Sequence, residues 1–398
     1  MTPGTATVRE PAPVVLVGAH GHGRWHLANL RRLSALGTAR LVGVCDRVPV
    51  AREDLTGLGD PAQCEDLAVL LDNTGAAAVI LATPIHTHLP LARTALRHGA
   101  HVLLEKPPTA TLAEYRSLCE AVAGSGLACQ VGFQNLGSTA VDAARDLALS
   151  GAIGAVRGIG GAGAWVRTSA YYERAPWAGR RRMDGADVVD GALTNPFAHA
   201  VATALRLAGA GRGAAADGVE LELFRAHAIE SDDTSCLRLR APDGTPVSVA
   251  VTLCATRRHE PHVSLHGESG RITVHYTRDE VTLERGGGAP ETVAHPRIDL
   301  LENLLAHIGD GTPLLVPPEE TAGFMTVLEA VRTAPDPLPI PEHAQQVFTA
   351  EDGLHRVVTG IDDLVERSAR GTALFSELGA PWASPRRADA AGTAGATR

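Results

Sequence analysis

The sequence predicts an α/β fold: an N-terminal doubly wound parallel sheet of the Rossmann type, then a second α/β domain with a large, mostly antiparallel open sheet. Three observations predict it. From Val14 to Phe133, short aliphatic runs alternate with helical stretches of about ten residues, the rhythm of a parallel sheet covered on both faces. Beyond Phe133, long strand-like runs follow one another through glycine-containing turns such as Pro242-Asp243-Gly244, the mark of antiparallel pairing. A glycine-rich segment, Gly18-Ala19-His20-Gly21-His22-Gly23, stands between the first strand and the first helix.

Taken in order, Val14–Val17 is a strand, Trp25–Leu36 a helix, Leu41–Cys45 a strand and Asp66–Leu71 helical. Ala77–Ala82 and His101–Leu104 are strands flanking a helix over Leu89–His98; helix Thr111–Ala123 and strand Ala128–Phe133 close the first domain. The second holds a helix at Val141–Leu149, a strand at Val156–Val166, a polar and aromatic loop from Arg167 to Asp190 and a helix at Phe197–Leu207. Strands are expected at Leu221–Ile229, Thr234–Arg240, Pro246–Ala255, His262–His266, Ile272–Tyr276 and Val281–Glu284. Helices return at Ile298–Ile308, Glu319–Arg332 and Asp352–Glu366, with a proline-rich surface crossing at Ala334–Pro341. The expected division is a flexible N-terminus over 1–12, a nucleotide domain over 13–133, a substrate and oligomerisation domain over 134–382, and a disordered tail over 383–398.

Composition removes several functions. A net charge of −9 and the lack of a basic stretch argue against a nucleic-acid binder. The longest apolar run, around Ala76–Pro84, is far short of the ~20 residues needed to span a bilayer. MTPGTATVREPAP has no basic region followed by an apolar one, so no signal peptide is read there. Six scattered cysteines, none in a Cys-x-x-Cys pair, indicate reduced thiols and a cytoplasmic setting. One number stands out: of 36 basic residues only Lys106 is a lysine. Arginine is always charged, whereas a lysine's pKa can be tuned, so the retained lysine marks a position that arginine does not fill.

The glycine segment suits a dinucleotide. Gly18 allows a tight turn, Gly23 lets helix and strand approach, and the helix N-terminus favours a pyrophosphate. His20 takes the place of the middle glycine, with Gly21 available for close backbone approach and His22 beside it. Asp46 ends the second strand about 20 residues further on, where a carboxylate accepts the ribose hydroxyls and repels a 2′-phosphate. This favours NAD over NADP; Arg47, next to it, argues the other way. No metal is expected at His20, His22 and His26, because no Cys or carboxylate accompanies them in sequence.

Thr83-Pro84 and Glu105-Lys106-Pro107 fall at the carboxyl ends of parallel strands, where ligands bind in open α/β sheets. A lysine there holds a substrate hydroxyl, and removal from water lowers its pKa. With His88 after Thr83-Pro84, Tyr171-Tyr172 through Trp177-Ala178-Gly179, and Gly191-Ala192-Leu193-Thr194-Asn195-Pro196-Phe197-Ala198-His199, the chain resembles the glucose–fructose oxidoreductase and inositol dehydrogenase (Gfo/Idh/MocA) family over roughly residues 13–330. The resemblance implies hydride exchange between NAD(P) and a sugar, polyol or cyclic alcohol. It gives Lys106 the role of active-site lysine and His199 that of acid/base. Asn195 stands where the family commonly has Asp, and Ala202 where a second Asp is frequent. Gly18, His20, Gly21, His22, Gly23, Asp46, Arg47, Thr83, Pro84, His88, Glu105 and Lys106 are expected around the cofactor. Arg167, Tyr171, Tyr172, Trp177, Asn195 and His199 are expected around a sugar-like substrate.

The function expected is that of an NAD-dependent dehydrogenase of a sugar, cyclitol or glycoside. Two alternatives stay open: a redox-neutral enzyme that oxidises transiently to permit elimination or epimerisation, and a nucleotide-binding regulator without chemistry, suggested by Asn195 and His20. The resemblance also implies a homodimer or homotetramer built through the open sheet face, which would otherwise leave an apolar surface exposed.

Overall fold

A computed structural model describes residues 10–211 and 218–383. Of the expected terminal segments, 1–12 and 383–398, residues 1–9 and 384–398 lie outside the described residues, while Ala12 belongs to the first strand and Ala383 is buried.

The first sheet has six parallel strands in the order β3-β2-β1-β4-β5-β6: β1 Ala12–Val17, β2 Ala39–Cys45, β3 Ala62–Cys64, β4 Ala78–Leu81, β5 His101–Leu104 and β6 Cys129–Val131. Apart from the short edge strand β3, these aliphatic strands are buried on both faces, and helices α1 Gly23–Ala35, α2 Leu67–Thr74, α3 His88–Arg97 and α4 Leu112–Ser125 cover them. Capping fixes two of these helices. Asp66 accepts from the N–H groups of Ala68 and Val69, and Thr111 from that of Glu114. The strand order reverses between β1 and β4, which opens a crevice at the carboxyl ends of β1, β4 and β5.

The chain then forms α5 Thr139–Leu149, β7 Val156–Val166, α6 Ser169–Glu173 and a small hairpin of β8 Arg182–Met183 and β9 Ala186–Asp187. After α7 Ala198–Leu207 come β10 Glu220–Arg225, β11 Thr234–Arg240, β12 Pro246–Thr252, β13 Cys254–Gly267, β14 Gly270–His275, β15 Glu280–Arg285 and β16 Glu291–Ala294. Helices α8 Leu300–Asp310 and α9 Ala322–Thr333, strands β17 Leu338–Pro339, β18 Gln345–Ala350 and β19 Gly353–Val358, and α10 Ile361–Gly371 complete the fold. The second sheet runs β16-β15-β14-β13-β7-β12-β11-β10-β17 and is antiparallel except where β12 meets β7 and β10 meets β17.

Its central strand is glycine-rich for a packing reason. A Cβ on Gly163 would stand 2.3 Å from the Phe197 ring on one face, and one on Gly160 would stand 1.7 Å from the Ala369 carbonyl oxygen on the other. The bare strand thus lets the start of α7 and the end of α10 approach from opposite sides.

Several boundaries differ from expectation. Leu221–Ile229 is a strand only as far as Arg225, and Pro246–Ala255 breaks after Thr252. His262–His266 is the end of a strand that begins at Cys254. Glu319–Arg332 opens as a 3-10 turn, Pro318–Thr321, and the proline-rich crossing contributes β17. The region Asp352–Glu366 is half strand: β19 pairs with β18, and the helix begins after Gly360, whose φ of 74° ends the hairpin. The sheet face expected to stay open is partly covered by the chain itself, since Ile361, Leu364, Val365 and Ala369 of α10 pack on Ala162, Cys236 and Ala250.

Candidate active site

The first half of the site is the turn between β1 and α1. A Cβ on Gly18 would lie 2.7 Å from the Ala82 carbonyl oxygen and 2.9 Å from Thr83 Cγ2, and one on Gly23 only 1.9 Å from the Gly18 carbonyl oxygen. Glycine at both positions is therefore required. Gly21 is different: its φ is 60° and a Cβ there would meet nothing within 4 Å, so its backbone is open to an approaching group. His20 turns aside, Nε2 lying 3.1 Å from the Val48 carbonyl oxygen. Helix α1 has no capping side chain and no acid in its first turn, which leaves its positive end to an anion. Asp46 Oδ2 accepts from the Ala19 N–H (2.8 Å), which ties the second strand's carboxylate to the loop; Arg47 beside it is exposed. A cradle bare of side chains and caps, with a carboxylate at its rim, fits a dinucleotide.

Between the halves lies Glu105, at the end of β5 and only 5% exposed. Its Oε1 accepts from His26 Nε2 (3.0 Å) and Gln134 Nε2 (2.9 Å), with His22 Nε2 at 3.3 Å, and its Oε2 accepts from the Lys106 N–H (3.1 Å). Burial would raise the carboxyl's pKa, but the bonds from His22 and His26 outweigh it and hold the group well below the carboxylate range. Gly132 leaves room for it, a Cβ there falling 3.0 Å from Oε1. The fold thus supplies the carboxylate that sequence spacing does not show beside His22 and His26. Its Oε1 is taken by these N–H donors. A second such group, His227, Asp233 and Cys254, is buried, and Asp233 there accepts from the backbone N–H groups of Ala226 and His227.

His88 is corrected by the structure. It is 1% exposed, with Nδ1 at 3.0 Å from the Pro107 carbonyl oxygen and Nε2 at 2.9 Å from that of Thr83. Its ring is buried between the ends of β4 and β5, with a carbonyl oxygen facing each nitrogen. Thr83 and Pro84 keep their place at the crevice, with Thr83 Oγ1 2.6 Å from Thr87 Oγ1.

The second half is built on Lys106, His199 and the residues that hold them. Lys106 Nζ donates to Asn195 Oδ1 (2.7 Å) and to the Asn195 carbonyl oxygen (3.1 Å). Asn195 Nδ2 in turn donates to Asp190 Oδ1 (2.5 Å). Burial pushes the lysine's pKa down; Glu105 and Asp190 act against this and Arg174 with it. One turn beyond Asn195, His199 Nδ1 lies 2.7 Å from Asn135 Oδ1. Asn135 Nδ2 donates to Thr203 Oγ1 and to the His199 carbonyl oxygen, so its Oδ1 faces the ring and His199 carries its proton on Nδ1. Nε2 is left as a lone-pair acceptor. Burial, and then the Lys106 charge, push the His199 pKa down to about 3, so the ring is neutral at physiological pH.

The 167–182 loop divides. Arg167 lies over the Trp165 and Tyr171 rings (5.0 and 4.8 Å), and Arg174 over Tyr171 and Trp177 (3.7 and 4.7 Å). Arg174 also reaches Asp190 Oδ2 at 3.5 Å, which joins this stack to the lysine's surroundings. Tyr172, half-buried, meets the stack edge-on at Tyr171 (5.2 Å), and its ring also packs against His227 (5.0 Å) and under Gly179. Sequence reasoning missed Asn135 and Asp190. Asn135 lies just beyond the end of β6, at the sheet edge where ligands bind, and that rule is the signal that would have found it.

Comparison with known proteins agrees with this architecture. Residues 13–133 match the family described as oxidoreductase family, NAD-binding Rossmann fold, and residues 141–273 match the Gfo/Idh/MocA C-terminal domain. The chain is 36% identical over 116 residues to the scyllo-inositol 2-dehydrogenase (NAD(+)) of Bacillus subtilis, covering 28% of this chain and 32% of that protein. It is 27% identical over 242 residues to the dTDP-3,4-didehydro-2,6-dideoxy-alpha-D-glucose 3-reductase of Streptomyces violaceoruber, covering 58% and 66%. It therefore spans less than two thirds of the length of these relatives. The crystal structure of the WlbA dehydrogenase from Chromobacterium violaceum, in complex with NADH and UDP-GlcNAcA, superposes with a TM-score of 0.68 at 20% identity, over 81% of this chain and 94% of that one. A levoglucosan dehydrogenase in complex with NADH and levoglucosan gives 0.66 at 20% identity, over 82% and 99%. With both of its domains matched, the chain belongs to the Gfo/Idh/MocA family of oxidoreductases, with an NAD-binding Rossmann domain at its N-terminus.

Proposed function

We propose that the protein is an NAD-dependent dehydrogenase that oxidises a hydroxyl of a sugar, cyclitol or glycoside. The observation that carries this reading is the pairing of Lys106 and His199. The ammonium spends two of its three N–H groups on Asn195 and keeps one, and the neighbouring imidazole is fixed as an Nε2 acceptor. A donor beside a neutral base suits a hydroxyl that must be gripped and deprotonated: Lys106 donates to its oxygen and His199 Nε2 takes its proton. A nicotinamide bound at the glycine turn supplies the hydride acceptor. The relatives named for a cyclitol and for a deoxysugar support the substrate class, and the carboxylate of Asp46 at the loop supports NAD over NADP.

The test is NADH formation from NAD and a panel of hexoses, uronates, cyclitols and glycosides. Stoichiometric NADH with at least one member is expected. Nucleotide binding without turnover on any would overturn the reading, and product without net NADH would replace it with a redox-neutral reaction. Rates with NADP equal to those with NAD would remove the role given to Asp46.

A further inference from the structure

Asn195 places an amide where a carboxylate would neutralise Lys106 directly, yet a carboxylate lies one bond network further back. Asp190 is 7% exposed and ends the loop that begins at Arg167. Its polarity fixes that of Asn195. A carboxylate only accepts, so Asn195 must present Nδ2 to Asp190, and its Oδ1 is thereby turned to the ammonium, which only donates. We propose that Asp190 is the positioning residue of this site, supplying through the Asn195 amide the negative charge that holds Lys106 protonated and in place.

The surroundings agree. Asp190 is itself anchored, Oδ2 accepting from the Gly179 N–H at 2.7 Å with Arg174 at 3.5 Å. The chain is bent to bring it there: Val189, a β-branched residue, has a φ of 52°, a conformation such residues rarely adopt. Among the described residues, four charged or titratable groups neighbour Lys106. Glu105 and Asp190 favour the charged form, Arg174 opposes it, and His199 is neutral. Glu105, the larger influence, accepts from His22, His26, Gln134 and the Lys106 N–H, while Asp190, held by Gly179 and Arg174, is the one that reaches the ammonium through the Asn195 amide. Because Arg174 also stacks on Tyr171 and Trp177, Asp190 joins the aromatic loop to the lysine. That Lys106 meets a substrate rests on the dehydrogenase reading; the link from Asp190 to Lys106 does not.

The test needs no substrate, because Lys106 is the single lysine of the chain. Biosynthetic labelling with ε-carbon-labelled lysine gives one side-chain NMR resonance, whose shift against pH reports the protonation of Nζ. In Asp190→Asn the titration midpoint is expected to fall by about one unit, the low end for loss of a nearby opposite charge. NADH binding and melting behaviour show that this variant is folded. Asn195→Leu, which removes the amide and leaves Asp190, is expected to lower the midpoint as well, and it decides alone if Asp190→Asn does not fold. A midpoint that stays or rises in a folded variant overturns the proposal, whether or not any sugar is turned over.

Discussion

Lys106 has three N–H groups in a fixed tetrahedral fan, and Asn195 takes two of them. A guanidinium is longer, planar and forked, and it cannot present one N–H to a hydroxyl while making the same two bonds. Lys106→Arg is therefore expected to lower kcat by about 100-fold or more, the low end for a positioned proton-handling group, with NADH affinity unchanged. Near-full activity would remove the lysine from the chemistry. Asn135 acts on the partner, since its Oδ1 holds the His199 proton on Nδ1. Asn135→Leu is expected to cost about tenfold in kcat, as the ring loses its fixed tautomer; an unchanged kcat with intact folding would contradict that role. Lys106 was legible in the sequence because it is the lone lysine in an arginine-rich chain and ends a strand. Asn135 was not, because its partner His199 lies 64 positions away; Asp190 was not, because its link to Lys106 runs through Asn195, which the lysine reaches across 89 positions. His88 shows the opposite case: residue type suggests a ligand contact, but burial places the side chain in the scaffold.

Strand β1, its glycine turn and helix α1 form the element proposed to hold the nucleotide. The Gly18 carbonyl occupies the space a Cβ on Gly23 would need. Gly23→Ala is expected to weaken NADH binding by at least about tenfold, because α1 must shift away from the turn that presents its positive end. Unchanged binding, measured by titration of NADH fluorescence, would show that the turn does not cradle the nucleotide. At this scale the strands β5, β7 and β11 coincide with their expected bounds: the first two are aliphatic or small-residue runs and the third alternates apolar and polar residues, each with clear stops. The region before α10 was misread because Leu354, Val357, Val358, Ile361 and Leu364 satisfy a helical spacing. The stop at Gly360, with its positive φ, separates two elements that the periodicity had merged.

Over the whole molecule, burial acts on many histidines in one direction. His88, His101, His199, His227, His266 and His275 all lie below their ordinary pKa, with desolvation the leading cause, His199 at about 3 and His227 at about 4. The unfolded chain protonates these sites as pH falls through about 6.5, while the folded chain does not. Stability from these groups is therefore fully present above that pH and declines below it. Asp232 and Asp233, raised by burial, Asp233 to about 6, act in the opposite sense but are fewer. The melting temperature is expected to drop by at least about 3 °C between about pH 7 and pH 5, and a flat or rising profile would contradict this balance. The sequence showed two domains with different sheet types. It did not show α10 folding back over β7, β12 and β13, because a helix's destination depends on which sheet face is left bare, here the glycine-rich middle of β7.

The claim that joins these scales is that a substrate hydroxyl, held by Lys106 and relieved of its proton by His199, gives up its C–H hydrogen to the nicotinamide. The direct measurement is the fate of deuterium in a turned-over substrate labelled at the reacting carbon. Label recovered on C4 of the nicotinamide in one-to-one ratio with product, and lost with His199→Ala, is the expected result. Label released to solvent, or label never found on the nicotinamide, would contradict it.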